Sequence, residues 1–305
     1  MNATSESFAS FILSELHIDV ARNASDDFNL FHDKRRWQQI ERNPFGGPIA
    51  LGFQLIQFIE HQCNRYRADT NEDQIINDNR LGFSNYQFNF INAVRPNQTV
   101  SIQIKPTKHK LDIENPKISN RVVLKADNSI SLMGFKSHSQ RPLFGEAKDF
   151  TAVLNDKPLY DRNFIEGTQY FYKRKFSTNS DAKNFLVSGG VEQSDYFDDI
   201  ANINQYSETY CSSLLSCALL EKAKSEGANF LKNPMIYTQQ KISVHSHNLS
   251  MLRSAQPIHY IVDNPIKDQT TQHVSYRCWA LNQNHQLLVQ AELSLAPLLT
   301  ILSKN

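Results

Sequence analysis

Two stretches of the chain carry apolar residues around nearly the whole circumference of a helix. In GGPIALGFQLIQFIEHQCNRYR, Ile49, Leu51, Phe53, Leu55, Ile56, Phe58 and Ile59 leave no polar side to the early turns. That is the pattern of a helix buried on all sides. Pro48 suits a first helical position, and Gly46-Gly47 ahead of it permits a tight entry. The second stretch, QYSETYCSSLLSCALLEKAKSEG, predicts a helix from about Ser207 to Ser225, with Ser207 as N-cap and Gly227 as stop.

Strand-like runs follow each helix. After the first come FSNYQFNFINAV, TVSIQIKPTKHK, RVVLKA and SISLMGFKSH, punctuated by RPNQ and ADNS. After the second come MIYTQQKISVHSH, QPIHYIVDN, HVSYRCWALN and QLLVQAELSLAP, and the connecting segment offers one further run, TQYFYKRKFS. The order of one buried helix and four strands therefore occurs twice, with little identity between the copies. It predicts an α+β architecture of two antiparallel sheets, each wrapped around a central helix. The boundary falls between units 1–155 and 156–305.

Length agrees, since 305 residues exceed the usual single core and fit two domains. A content of 19 Phe and 11 Tyr excludes a disordered chain. Lys and Arg number 32 against 31 acids, without a long basic run, which argues against nucleic acid as a partner. No window approaches the roughly 18–20 apolar residues of a membrane span. The start, MNATSESFASFILSELHIDV, lacks the basic and apolar regions of a signal peptide, so a cytoplasmic location is expected. Cys63, Cys211, Cys217 and Cys278 follow no CxxC spacing, which speaks against zinc and against a disulfide framework. His245 and His247 alternate along a predicted strand, but no third ligand accompanies them, so no metal is expected.

Candidate chemistry is concentrated in DDFNLFHD, residues 26–33, where Asp27, Asn29 and His32 have the spacing D-x-N-x-x-H. Alone, such a stretch reads as an Asx-type turn ending in a surface histidine. A short distance downstream, Gly47-Pro48-Ile49-Ala50-Leu51-Gly52 opens the first apolar helix. The two segments together resemble the (R)-specific enoyl-CoA hydratases, the MaoC-like dehydratase family of hotdog proteins. Their motif reads D-x-N-P-[LIV]-H, and a G-x-[IV]-[AV]-H-G segment begins their central helix. The resemblance covers Asp27 to Glu60 closely and the remainder in pattern. It departs from the family at Asp26 (usually glycine), Leu30 (proline), Phe31 (aliphatic) and Leu51 (histidine). The second half has no such motif; its nearest polar stretch is DDIANINQ, residues 198–205.

The resemblance implies a double hotdog whose two units pair edge to edge, so that one chain is its own pseudo-dimer, as a monomer or as a homodimer of such chains. It implies a lyase that hydrates or dehydrates an acyl thioester, carried on CoA or on an acyl carrier protein in fatty acid or polyketide metabolism, without a cofactor. Asp27 and His32 would share the acid and base work on one water, with Asn29 orienting the loop. Backbone N–H groups of Ala50, Leu51 and Gly52 would hold the thioester oxygen at the helix start. Glycine at 52 would admit the substrate close to the backbone. Arg35 and Arg36, next to Lys34, are candidates for phosphate contacts, against a solvated basic face. Tyr210 and Cys211 read as packing, and Arg95 as a solvated turn. Two other functions fit a hotdog chain: an acyl-CoA thioesterase, disfavoured because the first helix has no acid before Glu60, and a non-catalytic acyl-thioester-binding protein.

Overall fold

Both apolar stretches are helices, and the alternating runs behind them are strands, in the computed structural model, which describes residues 9–302 apart from 113, 147, 157, 269 and 271. The first half runs β1 (Ser10–Ile12), α1 (Glu15–Ser25), the central helix α2 (Gly52–Asp69), α3 (Glu72–Asp78), β2 (Phe83–Phe90), β3 (Thr99–Ile104), β4 (Lys108–Lys110), β5 (Lys117–Ala126) and β6 (Ser129–Ser139). A connecting helix, α4 (Thr151–Asp156), leads into the second half, which begins with β7 (Asn163–Phe164), β8 (Phe171–Phe176), α5 (Asn179–Ser188), β9 (Phe197–Asp198), β10 (Ile203–Asn204) and the central helix α6 (Glu208–Ser225). It continues with β11 (Met235–His245), α7 (Ser246–Ser250), β12 (Pro257–Val262), β13 (Ile266–Lys267), β14 (Val274–Leu281), β15 (Leu287–Pro297) and α8 (Leu298–Leu302).

The two sheets meet edge to edge and form one antiparallel layer in the order β1-β3-β5-β6-β2-β11-β15-β14-β12-β8-β7, with β4 and β13 as side branches. Read outward from the β2–β11 seam, β2-β6-β5-β3 on one side matches β11-β15-β14-β12 on the other. The seam extends from Phe83 opposite His245 to Asn89 opposite Gln239. Each half-sheet would otherwise end in a bare edge strand, and pairing the two removes that liability. The sheet is not closed into a barrel.

Helices α2 and α6 touch one another and share one apolar core with the strands, built on Phe53, Ile56, Ile59, Leu214, Leu215 and Ala218. In the second half the other sheet face is covered too. Along β14, Cys278 and Ala280 join the helix-side core, while Trp279 and Leu281 pack beneath Phe150 and Leu154 of the connecting segment. The period of two in side-chain direction makes both burials possible. No helix among the described residues is long and apolar enough to cross a membrane.

Two sequence expectations need correction. The first central helix starts at Gly52, not near Pro48. Ile49 N–H donates to Phe31 O (2.9 Å) and Ala50 N–H donates to Val94 O (2.8 Å). A helix through residue 49 would need Ile49 O to accept from Phe53 N–H, and that carbonyl is bonded to His32 Nδ1 at 2.7 Å instead. His245 and His247 also do not share a strand face, since β11 ends at His245 and His247 belongs to α7.

The helices are joined by a buried carboxylate. Glu60 of α2, 1% exposed, accepts from the first backbone N–H groups of α6: Glu208 N–H at 3.0 Å and Thr209 N–H at 2.8 Å, with the Thr209 hydroxyl also donating. A helix N-terminus inside a core has donors that no water can satisfy, and an acceptor with negative charge suits it. Glu208 in turn takes Lys136 Nζ at 3.1 Å and the hydroxyls of Ser84 and Tyr86. Burial, reinforced by the charge of Glu208, pushes the Glu60 carboxyl up to about 7. Removing the acceptor with Glu60→Leu is expected to cost on the order of 3 kcal/mol, and Glu60→Gln, which keeps one acceptor, clearly less. Equal losses in urea unfolding of the two variants would contradict this account of the helix pair.

Candidate active site

The motif loop begins where α1 ends. Ser14 caps α1 by accepting from His17 N–H, and His17 Nδ1 accepts from Ser14 N–H in return. The helix stops at Asp26, whose φ of 51° and ψ of 32° lie in the left-handed region. Glycine is the usual residue there, and Asp is among the few others that tolerate it. Asp27 then folds the chain back, its Oδ1 accepting from Asn29 N–H at 2.8 Å. Asn29 repeats the device as N-cap of a 3-10 turn, Leu30–His32, its Oδ1 accepting from Phe31 N–H at 3.2 Å. The expected Asx turn is therefore present, but it is buried: Asp27 is 4% exposed and His32 6%.

Two long-range bonds orient the pair. His32 Nδ1 lies 2.7 Å from Ile49 O. A carbonyl only accepts, so Nδ1 carries the proton and Nε2 bears the lone pair, which has no partner among the described residues. Burial lowers the His32 pKa and Arg22 adds to this, while the Asp27 charge and the Ile49 carbonyl oppose it. Asp27 Oδ2 accepts from Ser216 Oγ of α6 at 2.7 Å, and Ser216 Oγ accepts from Tyr237 Oη of β11 at 3.2 Å. The second half thus holds the acid of the first half's motif.

The loop separates two openings. His32 and Asn29 line a cavity of about 140 Å³ with Phe31, Gly52, Phe90 and Tyr237, its surface mostly apolar. Asp27 faces a polar cleft of about 790 Å³ with Arg22, Arg162, Glu221 and Lys224. Ser216 and Tyr237 link the two sides.

At the start of α2 the three expected donors are not equivalent. Ala50 N–H is engaged by Val94 O, and Leu51 N–H donates to Gln54 Oε1 at 3.3 Å. Gln54 is fixed in turn by donating to Ser188 O at 2.7 Å. This corrects the expectation for Ala50 and Leu51. Only Gly52 N–H, of the three, has no partner among the described residues. A Cβ at Gly52 would lie 2.7 Å from Phe90 Cζ, so the glycine makes room for that ring. Leu51, in the place of the family's histidine, is buried.

The basic run lies elsewhere. Arg35 and Arg36 are exposed and line neither opening. Arg36 Nε donates to Asp33 Oδ2 at 2.8 Å, and Lys34 pairs with Asp19. Burial would raise the Asp33 carboxyl, but bonds from Arg35 N–H and from Arg36, with the Arg22 charge, hold it at about 2. The acid within the run thus draws its positive charge away from the cavities. Tyr210 and Cys211 pack as expected, Tyr210 against Tyr206 and Phe185, and Cys211 O accepting from Tyr260.

The sequence reading missed Ser216 and Tyr237. The available signal was polar residues inside a helix read as buried all round, since buried polar groups need partners. For His32, the ring proton signals in NMR should titrate with a midpoint below ~6.5. A midpoint at or above that value would contradict the buried, Nδ1-protonated imidazole.

No family model matches the chain. No curated protein matches it by sequence. Solved structures do. A MaoC domain dehydratase from Chloroflexus aurantiacus superposes with a TM-score of 0.58 at 9% identity, covering 96% of this chain and 95% of the other. A Mycobacterium tuberculosis protein described as having a double hotdog fold gives 0.56 at 9% identity, with 96% of each chain covered. A MaoC-like dehydratase from Phytophthora capsici gives 0.51 at 12% identity, with 94% of each covered. The chain is thus a double hotdog, similar in fold over nearly its whole described length to MaoC-like dehydratases.

Proposed function

We propose that the protein hydrates or dehydrates an acyl thioester, carried on CoA or an acyl carrier protein, at one site per chain. The two units are residues 1–155 and 156–305, a division that the repeated element order supports, with the site in the first. The observation that carries the reading is the buried His32, bound through Nδ1 to a carbonyl. The same residue lines an apolar cavity together with Gly52, whose N–H is unpaired among the described residues, and the Asp27 charge acts on its ring.

In this reading His32 Nε2 takes a proton from water as the water oxygen bonds to Cβ of the enoyl group. The C=C electron pair moves toward the thioester, and the oxygen there gains enolate character. Return of a proton to Cα completes the addition, so H and OH are added and no cofactor is consumed. Asp27 stabilises the imidazolium formed on the way, held in place by Asn29 N–H and Ser216. Gly52 N–H is the donor toward the thioester oxygen, and the apolar walls suit a short acyl chain.

Thioester hydrolysis is less well supported. Its carboxylate would have to come from the central helix, and Glu60 is already bonded to the α6 backbone. Crotonyl-CoA or a longer enoyl-CoA should lose its enoyl absorbance in the presence of the protein. Asp27→Asn and His32→Ala are each expected to reduce that rate at least ~10²-fold with unchanged circular dichroism. Full activity in both variants, or thiol release in place of hydration, would refute the proposal.

A further inference from the structure

Gln240 lies in the middle of β11, paired through the strand with Phe88 of β2 and Leu293 of β15. Its side chain is 0% exposed. Neither Nε2 nor Oε1 has a hydrogen-bond partner, and among the described residues no other amide side chain has both polar atoms buried and unpaired. Each such group costs about 1–3 kcal/mol, so a core position has kept a glutamine where leucine or methionine would pack without that penalty. The amide is not placed at random. Nε2 lies 3.5 Å from the point that a Cβ on Gly52 would occupy, against the first residue of α2, whose own N–H is unpaired. The Phe90 ring sits over the same glycine and lines the cavity that holds His32. An unpaired donor of the second half and an unpaired helix N-terminus of the first half therefore converge behind one aromatic ring.

We propose that Gln240 is a catalytic residue: Nε2 donates, together with Gly52 N–H, to the carbonyl oxygen of the bound thioester. The inference rests on the acyl-thioester reading above and adds to it a residue from the other half of the chain. As water adds to Cβ, negative charge accumulates on that oxygen. Two donors in a dry interior stabilise that charge more than they would in water. The ring of Phe90 is the partition, and the carbonyl reaches the amide when the ring turns about its side-chain bonds. Gly52 serves this arrangement in a second way, since any side chain there would occupy the space between the two donors and the ring.

Gln240→Met keeps the length of the side chain and removes the donor. The amide has no partner in the folded protein, so thermal stability should be unchanged or higher. The kcat for enoyl-CoA hydration should fall ~10²–10³-fold with KM little changed. A second assay needs no turnover: binding of a saturated acyl-CoA is compared with that of its S-alkyl thioether, which lacks the carbonyl. Wild type should favour the carbonyl compound by about tenfold, and Gln240→Met, which keeps only the Gly52 N–H donor, should lose most of that preference. Carbonyl preference without hydration would support Gln240 while refuting the reaction. Hydration within threefold of wild type by the variant would overturn the role of Gln240 and leave the reaction standing. The role is equally overturned by an unchanged carbonyl preference in the variant, by none in wild type, or by a marked loss of stability.

Discussion

The contact on which the rest depends is that of the Glu60 carboxylate with the N-terminus of α6. Two central helices meet inside a single core, and the first N–H groups of α6 point into protein where no water can serve them. Glu60 satisfies Glu208 and Thr209 at once, and this fixes α2 against α6 in both translation and rotation. The same two helices share one core with the strands on both sides of the β2–β11 seam. The electrostatics of the contact are shared. Burial disfavours either carboxylate, but the Lys136 charge and the Ser84 and Tyr86 hydroxyls lower the pKa of Glu208 while Glu60 is pushed up.

The repeat of elements makes the other side of this contact informative. Ser216 is the ninth residue of α6, as Glu60 is the ninth of α2. The two side chains differ in reach and in partner. The glutamate extends to the helix start and fills the space there with its carboxylate. The serine side chain is a single hydroxymethyl. It stops at Asp27 Oδ2 and leaves the start of α2 to the glycine, the Phe90 ring and a cavity. One copy of a repeated arrangement is thereby sealed by its own core, and the other retains an opening. The motif lies in the half whose helix start is left open, and the α6 start is occupied by Glu60.

Much of the architecture was legible because strand alternation and helix burial are local properties. The eight main strands, the bounds of α6 and its Ser207 cap follow from them. The start of α2 was not legible, because Pro48 and the apolar run favour a helix locally while His32 Nδ1, across the fold, takes the Ile49 carbonyl that a longer helix would need. At the site, spacing sufficed for Asp27, Asn29 and His32, which share one turn. It could not find Ser216, which is 189 positions from Asp27, or Tyr237 and Gln240, which reach the site only because β11 lies at the seam. Arg35 and Arg36 misled for a different reason. A basic run looks free in one dimension, but Asp33 within it and Asp19 on α1 claim two of its three charges.

The departures from the family motif fall at positions whose backbone role explains the tolerance. Asp26 takes the left-handed conformation itself, and its N–H still closes the end of α1 on Arg22 O and Asn23 O. Leu30 stands at the first position of a 3-10 turn, where proline forfeits no hydrogen bond and leucine needs none. Phe31 extends an apolar contact with Phe45, Ile40 and Leu298. Leu51 is an apolar residue where the resemblance places a histidine, and in the proposed reaction the Gln240 amide, beside the adjacent Gly52, supplies a donor at that helix start. The pseudo-dimer interface is then more than a means of hiding sheet edges: in the proposed reaction the first half supplies the base and the helix end, and the second half supplies the groups that hold the acid and the oxyanion.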